Sequence, residues 1–112
     1  MRHTMAMLAG AAVLAVAGTA SAQALNDKKA NDLMVKSGCN ACHAVDKKGV
    51  GPSYKDVAAK NKTKKDAAAQ YMFDKVRKGG AGVYGQVPMP PNTPDKISDG
   101  DLKALVAWIL TK

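Results

Sequence analysis

The apolar residues of this chain recur with the 3.6-residue period of an α-helix in three stretches, and no stretch alternates convincingly as a β-strand does. The clearest period lies close to the C-terminus, where Ser98 and Asp101 form a variant of the capping box. Its inward positions follow the spacing i, i+3, i+4, i+7 and are Leu102, Leu105, Val106 and Ile109. The pattern predicts an all-α fold with three main helices.

The other two helical stretches have recognisable start and end signals in the sequence. The first helix is predicted to begin near Asn26 or Asp27, since either side chain can cap its first turn, and to end at Gly38. The middle helix is predicted to begin after Thr63, which opens a Thr-x-x-Asp variant of the capping box. Glycine at position 79 is then expected to stop it.

Two further segments connect these helices. A short helical turn is expected after Pro52, from Tyr54 to Ala59. A long loop rich in glycine and proline follows Gly79 and reaches Ile97, and a loop of that length in so small a domain is usually functional or disordered. The chain contains no internal repeat and no sign of a second domain.

The N-terminus resembles a signal peptide. A basic start at Arg2 precedes an uncharged apolar run over residues 5–17, and Ala20-Ser21-Ala22 has the small-x-small pattern of a cleavage site. The alternative is an uncleaved membrane anchor, but a spanning helix needs roughly 20 apolar residues and this run is shorter. We therefore predict a cleaved Sec signal peptide over residues 1–22, a mature domain over residues 23–112, and a periplasmic location.

The predicted mature domain has little with which to build a core. It has only two cysteines, too few to staple a small secreted scaffold, and only five aromatic residues. A buried planar cofactor would supply the missing apolar area.

The chain is basic, with a formal net charge of +8 from 17 Lys and Arg and nine acidic residues. Such a charge suits nucleic acid, anionic lipid or an acidic protein surface, and export argues against nucleic acid. The lysine-rich run over residues 60–65 is either a solvated loop or part of a docking surface for an acidic partner.

The sequence Cys39-Asn40-Ala41-Cys42-His43 is a C-x-x-C-H motif, which is typical of covalent haem attachment. Two thiols three residues apart reach the two vinyl groups of a porphyrin from one turn, and His43 can then offer a nitrogen to the iron. A zinc site would lack ligands, since the mature chain has one histidine. A thioredoxin-like dithiol normally lies in a β-α-β unit, and a plain disulfide would leave His43 unexplained.

Met89 is the candidate for a second iron ligand. It lies among Pro88, Pro90 and Pro91 in the long loop, and prolines reduce the disorder of an unbound chain. Met34 and Met72 fall on predicted helix faces, where methionine usually fills a core. Axial His/Met ligation raises the haem potential and leaves no open position on the iron, which favours electron transfer over catalysis.

Taken together, the motifs resemble those of the class I cytochromes c, most closely the short bacterial monohaem type of Pseudomonas-like respiratory chains. The resemblance covers residues 26–112. The matching segments are Gly38 to His43, Val50 to Ala58, Gly82 to Gly85, Pro88 to Asn92, and the late Trp108. It implies an all-α fold wrapped around one haem, with thioethers at Cys39 and Cys42 and with His43 and Met89 as axial ligands.

The resemblance also implies four supporting roles. The carbonyl of Pro52 would accept a hydrogen bond from His43, and the Asn92 side chain would approach the sulfur of Met89. Lys75 aligns with a basic position that contacts a haem propionate. Tyr84 stands where relatives often have a tryptophan that donates to a propionate. Trp108 is expected to be a core residue.

The function implied is electron transfer by a monomeric carrier that is not an enzyme. Its partners would be redox proteins with acidic surfaces: a donor such as a quinol-oxidising complex, and an acceptor such as a terminal oxidase, nitrite reductase or peroxidase. Nucleic acid and stable membrane insertion are not expected. The alternative is a haem enzyme or a gas or peroxide sensor in which Met89 leaves the iron.

Overall fold

The structure is a computed structural model that describes residues 10–12 and 25–112. The predicted signal peptide and its cleavage after Ala22 therefore lie outside the described residues, apart from positions 10–12. Over residues 25–112 the chain forms four α-helices in the order α1 (Asp27–Ser37), α2 (Tyr54–Asn61), α3 (Ala68–Lys78) and α4 (Asp99–Ile109). Among the described residues no helix is both long and apolar enough to span a bilayer.

The helix ends in α1 and α4 confirm the sequence predictions. The Asn26 side chain accepts a hydrogen bond from the Lys29 amide at 2.8 Å, and Gly38 ends α1 in the left-handed region at φ 79°. Ser98 caps α4 by accepting from the Asp101 amide at 3.2 Å. The short turn predicted after Pro52 is α2, which extends two residues beyond the expected end.

The predicted start of the middle helix is wrong. Residues Lys62–Ala67 form a 3₁₀ helix, Lys65 has a positive φ of 50°, and α3 begins only at Ala68. Thr63 forms no capping box, and no side chain caps α3. Since α2 continues to Asn61, the chain has six residues in which to turn into α3, and it does so through a tight segment in which the positive φ at Lys65 interrupts any continuous α-helix.

The core lies where α1 and α3 meet α4. The inward positions predicted for α4 are all buried, and Trp108 is buried with them. Trp108 meets the ring of Tyr54 edge to face, with centroids 6.2 Å apart. Leu105 and Ile109 also line a large cavity, together with the core residues Met72, Ile97 and Leu102. The packed core therefore forms part of the wall of this cavity.

A polar contact joins the first and last helices. The Trp108 indole donates to the Asp27 carboxylate at 3.0 Å, and the Lys112 ammonium lies 3.3 Å from the same oxygen. The Lys112 ammonium also lies 4.3 Å from the Trp108 ring centroid. The hydrogen bond from Trp108, followed by that from Lys112 and its charge, lowers the pKa of Asp27 below its usual 3.8.

This contact predicts a pH-dependent stability. A carboxyl with a depressed folded pKa stabilises the fold above its unfolded pKa, and that stabilisation is lost as pH falls through the folded value. We expect Asp27→Asn to unfold at lower guanidinium concentration than wild type at pH 7, with the difference shrinking below about pH 4. Asp32→Asn, which breaks an exposed pair with Lys28 on the same helix, should have little effect at either pH. A difference for Asp27→Asn that does not change with pH would contradict the role of its charge.

Candidate functional site

The cavity enclosed by the helices and loops has a volume of about 720 Å³. This lies within the range of roughly 300–1,000 Å³ typical of cofactor sites, and its walls are mostly apolar. Eight residues singled out in the sequence line it together: Cys39, Cys42, His43, Pro52, Lys75, Tyr84, Met89 and Asn92. Residues separated by up to 53 positions in the sequence thus share one hollow.

The two cysteines lie on a single tight turn. Residues Cys39–Ala41 form a 3₁₀ turn directly after the left-handed Gly38, and the amides of Cys42 and His43 donate to the Cys39 carbonyl at 3.2 and 3.0 Å. Both thiols are free and half-buried at the cavity wall. Burial raises the pKa of the Cys39 thiol. The turn presents both cysteines to the wall of the same cavity.

The His43 ring has a defined orientation and tautomer. Its Nδ1 lies 2.7 Å from the Pro52 carbonyl oxygen, which can only accept, so Nδ1 carries the proton. The lone pair is therefore on Nε2, which is free to bind a metal. The ring stacks on Tyr54 at a centroid distance of 5.3 Å. A Cβ at Gly51 would lie 2.6 Å from the His43 Cε1, so glycine is needed there for the ring to fit.

The loop that carries Met89 folds back on the end of α3. Gly80 and Met89 exchange two backbone hydrogen bonds of 2.9 Å each. Gly79 has a φ of 68°, and a Cβ at that position would collide with the Met89 carbonyl oxygen and lie 2.8 Å from the Pro90 carbonyl carbon. The glycine that stops α3 is thus also what lets the methionine loop approach so closely.

The Asn92 side chain makes two hydrogen bonds at the end of this loop. Its amide nitrogen donates to the carbonyls of Val76 and Pro90, at 3.2 and 3.1 Å. Asn92 is 7% exposed, and each of these donations satisfies a backbone carbonyl beside the loop. In this structure Asn92 therefore ties the methionine loop to α3.

Arg77 holds the end of the methionine loop from outside the cavity lining, a role that the sequence prediction missed. Its guanidinium donates to the carbonyls of Asn92 at 3.1 Å and Ile97 at 2.8 Å, and to the Asp99 carboxylate at 2.6 Å. The side chain is only 14% exposed. The available signal was that Arg77 is one of two arginines in a chain that otherwise uses lysine, and a planar guanidinium can hold several carbonyls at once.

Lys75 and Tyr84 also lie on the cavity wall. The Lys75 ammonium lies 3.5 Å from where a Cβ at Gly80 would stand. Tyr84 is 39% exposed, and its hydroxyl accepts a hydrogen bond from Asn61 at 3.4 Å. Trp108 is not among the residues that line the cavity, and it packs in the core as predicted.

Known proteins resemble this chain along most of its length. The sequence model of the family described as cytochrome C oxidase, cbb3-type, subunit III matches residues 25–109. Cytochrome c-552 of Nitrosomonas europaea is 50% identical over 101 residues, which are 90% of this chain and 88% of that protein. Cytochrome c-551 of Pseudomonas aeruginosa is 40% identical over 99 residues, which are 88% of this chain and 91% of that protein. The crystal structure of wild-type N. europaea cytochrome c552 matches with a TM-score of 0.65 and 53% identity, covering 72% of this chain and 96% of that one.

The chain therefore belongs to the class I cytochromes c. Within that class it is a small monohaem cytochrome of the c-551 and c-552 type, which carries one covalent haem c and transfers electrons. The predictions of family, fold class, cofactor and electron transfer are confirmed. The relatives give no support to the alternative of a haem enzyme or ligand sensor.

The Arg77 contacts predict a large stability effect from a residue that does not line the cavity. We expect Arg77→Ala to lower the free energy of unfolding by about 2–3 kcal/mol, because hydrogen bonds to a charged group are lost and buried carbonyls lose their donor. Arg77→Lys should recover only part of the lost free energy of unfolding, since one ammonium cannot span three acceptors. Guanidinium unfolding measures both, with the exposed Lys78→Ala as control. Equal stability of Arg77→Ala and Lys78→Ala would contradict the role given to the guanidinium.

Proposed function

We propose that Cys39 and Cys42 attach the haem by thioether bonds in the cavity, and that His43 Nε2 and the Met89 sulfur are the axial ligands of its iron. The observation that carries this proposal is the convergence of these four residues on one apolar hollow, with the His43 Nδ1 hydrogen-bonded to Pro52 at 2.7 Å. When bound, the haem supplies a one-electron ferric/ferrous couple. The protein supplies two ligands and a largely apolar enclosure.

The chain keeps both ligands in place by different means. His43 is held by its hydrogen bond to Pro52 and by stacking on Tyr54, and a fixed Nδ1–H donation also raises the basicity of Nε2. Met89 is held by the paired backbone bonds to Gly80 and by its proline neighbours. Ligands that stay in place through the redox cycle leave little to reorganise, which suits rapid electron transfer and leaves no vacant position for a substrate.

We also infer that the carrier is periplasmic and functions in a respiratory chain. The basic start, apolar run and Ala20-Ser21-Ala22 site support export with cleavage after Ala22, which gives a mature domain of residues 23–112. The donor would then be a protein such as a quinol-oxidising complex. The acceptor would be a protein such as a terminal oxidase, a nitrite reductase or a peroxidase.

The cavity mouth is the proposed docking surface for these redox partners. Val50 and Val87 line the cavity, yet they are 60% and 62% exposed. The described lining also includes Lys48, Lys75 and Lys96 and no acidic residue. Exposed apolar side chains that share a cavity lining with cations suit brief docking of a monomer with an acidic protein surface, because the charges steer the encounter and a small contact area allows rapid release.

The axial ligand is tested by replacing a thioether with a hydrocarbon of similar size. We expect Met89→Leu to keep covalent haem but to lose the weak far-red thioether-to-iron absorption band of the oxidised protein and to bind added imidazole at the opened position. Met72→Leu is the matched control, because Met72 also lines the cavity but packs as a buried core residue, and it should keep the band. Visible spectra of the purified holoproteins measure both.

If Met89→Leu keeps the far-red band, Met89 is not a ligand of the iron. Loss of the band in Met72→Leu alone would assign the ligand to α3 instead. Either result would leave the attachment at the two cysteines to be judged separately, by whether the haem resists acid-acetone extraction.

If partners dock at the cavity mouth, the lysines at that mouth should contribute more to the salt dependence of electron exchange than lysines elsewhere. We expect electron exchange with an acidic blue-copper protein to slow as ionic strength rises, and the double variant Lys48→Gln/Lys96→Gln to slow it several-fold at low salt. The variant Lys62→Gln/Lys65→Gln removes the same charge from a surface outside the cavity lining and should slow it less. Equal effects of the two pairs in stopped-flow measurements would show that net charge, not the mouth, governs the encounter.

A further inference from the structure

Asn61, the last residue of α2, is a buried polar residue that the proposed haem ligation does not use. It is 3% exposed, and its side-chain nitrogen lies 2.8 Å from the Val57 carbonyl oxygen. Because a carbonyl can only accept, this contact establishes which end of the amide carries the hydrogens. The Asn61 Nδ2 therefore has one further N–H to donate.

That second N–H is directed at Tyr84. The Asn61 Nδ2 lies 3.4 Å from the Tyr84 hydroxyl oxygen, which must be the acceptor because the nitrogen has no lone pair to offer. The Tyr84 proton is consequently turned away from Asn61. Among residues 25–112 no protein group accepts a hydrogen bond from it, and both Tyr84 and Asn61 line the cavity.

The surroundings of Tyr84 favour a neutral phenol that meets an anion. Burial raises the pKa of Tyr84, opposed by the hydrogen bond from Asn61, so the hydroxyl keeps its proton at neutral pH. The neighbouring ionisable groups are Asp56 and Tyr71, and the Lys60 ammonium lies 5.3 Å from the Tyr84 ring centroid. Lys75 lines the same cavity from α3.

We propose that Asn61 is a positioning residue, which holds the Tyr84 hydroxyl so that its proton is donated into the cavity to a carboxylate of the haem. The inference rests on the proposed function, since it requires haem in this cavity. In this arrangement the amide restricts the rotation of the phenol, and the phenol makes the contact with the anion. Donation to a carboxylate stabilises its charged form and lowers its pKa.

The consequence is a change in how the midpoint potential depends on pH. The potential falls with rising pH over the window in which the carboxylate titrates, and loss of the donor moves that window to higher pH. We expect Tyr84→Phe to move it upward by about one pH unit, the size of one charge-assisted hydrogen bond. Asn61→Ser should move it in the same direction by less, because a serine hydroxyl can still bond the Val57 carbonyl but not reach Tyr84.

The decisive variant is the double one. If Asn61 acts through Tyr84, Asn61→Ser/Tyr84→Phe should match Tyr84→Phe alone in potentiometric titrations between pH 5 and 9. Tyr71→Phe, which removes another phenol from the cavity wall, should leave the window unmoved. Shifts that add in the double variant, or no shift in Tyr84→Phe, would overturn the proposal. If Asn61→Ser yields too little holoprotein, Asn61→Leu tests the same comparison. Failure of the proposed function is distinguishable, because wild type itself would then lack attached haem.

Discussion

The structure depends on an apolar hollow that the chain's own side chains do not fill. The cavity has a volume of about 720 Å³, and buried core side chains, among them Leu102, Leu105 and Ile109 of α4, form part of its wall. An empty cavity of that size would forfeit the contacts that normally stabilise a small domain. Because the chain has only five aromatic residues and no stapling disulfides, the covalent haem of this cytochrome family is an integral part of its core.

This constraint explains why the site is built from loops that are individually restrained. The histidine side is closed by Gly51, which makes room for the ring, and by the carbonyl of Pro52, which orients it. The methionine side is closed by Gly79 and by the clamp of Arg77 and Asn92 on the loop ends. Both segments line the same cavity, and restraint of this kind suits a redox centre whose proposed ligands must move little during electron transfer.

Much of this arrangement is predictable because the signals are local. Asn26 and Ser98 cap their helices through their own side chains, and the C-x-x-C-H motif needs only one turn to present its residues. The start of α3 was not predictable from Thr63, because it is decided by where α2 ends and by the positive φ at Lys65. Asn92 contacts α3 at a residue 16 positions away in the sequence, and the acceptors of Arg77 lie 15 to 22 positions away from it. Contacts over such separations leave no helical or strand periodicity in the sequence.

The most direct test of the haem site is the visible spectrum of the full chain, expressed in a host that matures c-type haem and purified from the periplasm. We expect a sharp spectrum in the reduced state, haem that stays with the protein after acid-acetone extraction, and a weak far-red thioether-to-iron band in the oxidised state. A colourless protein that cycles between dithiol and disulfide would contradict the assignment of Cys39 and Cys42. An attached haem without the far-red band would contradict the assignment of Met89.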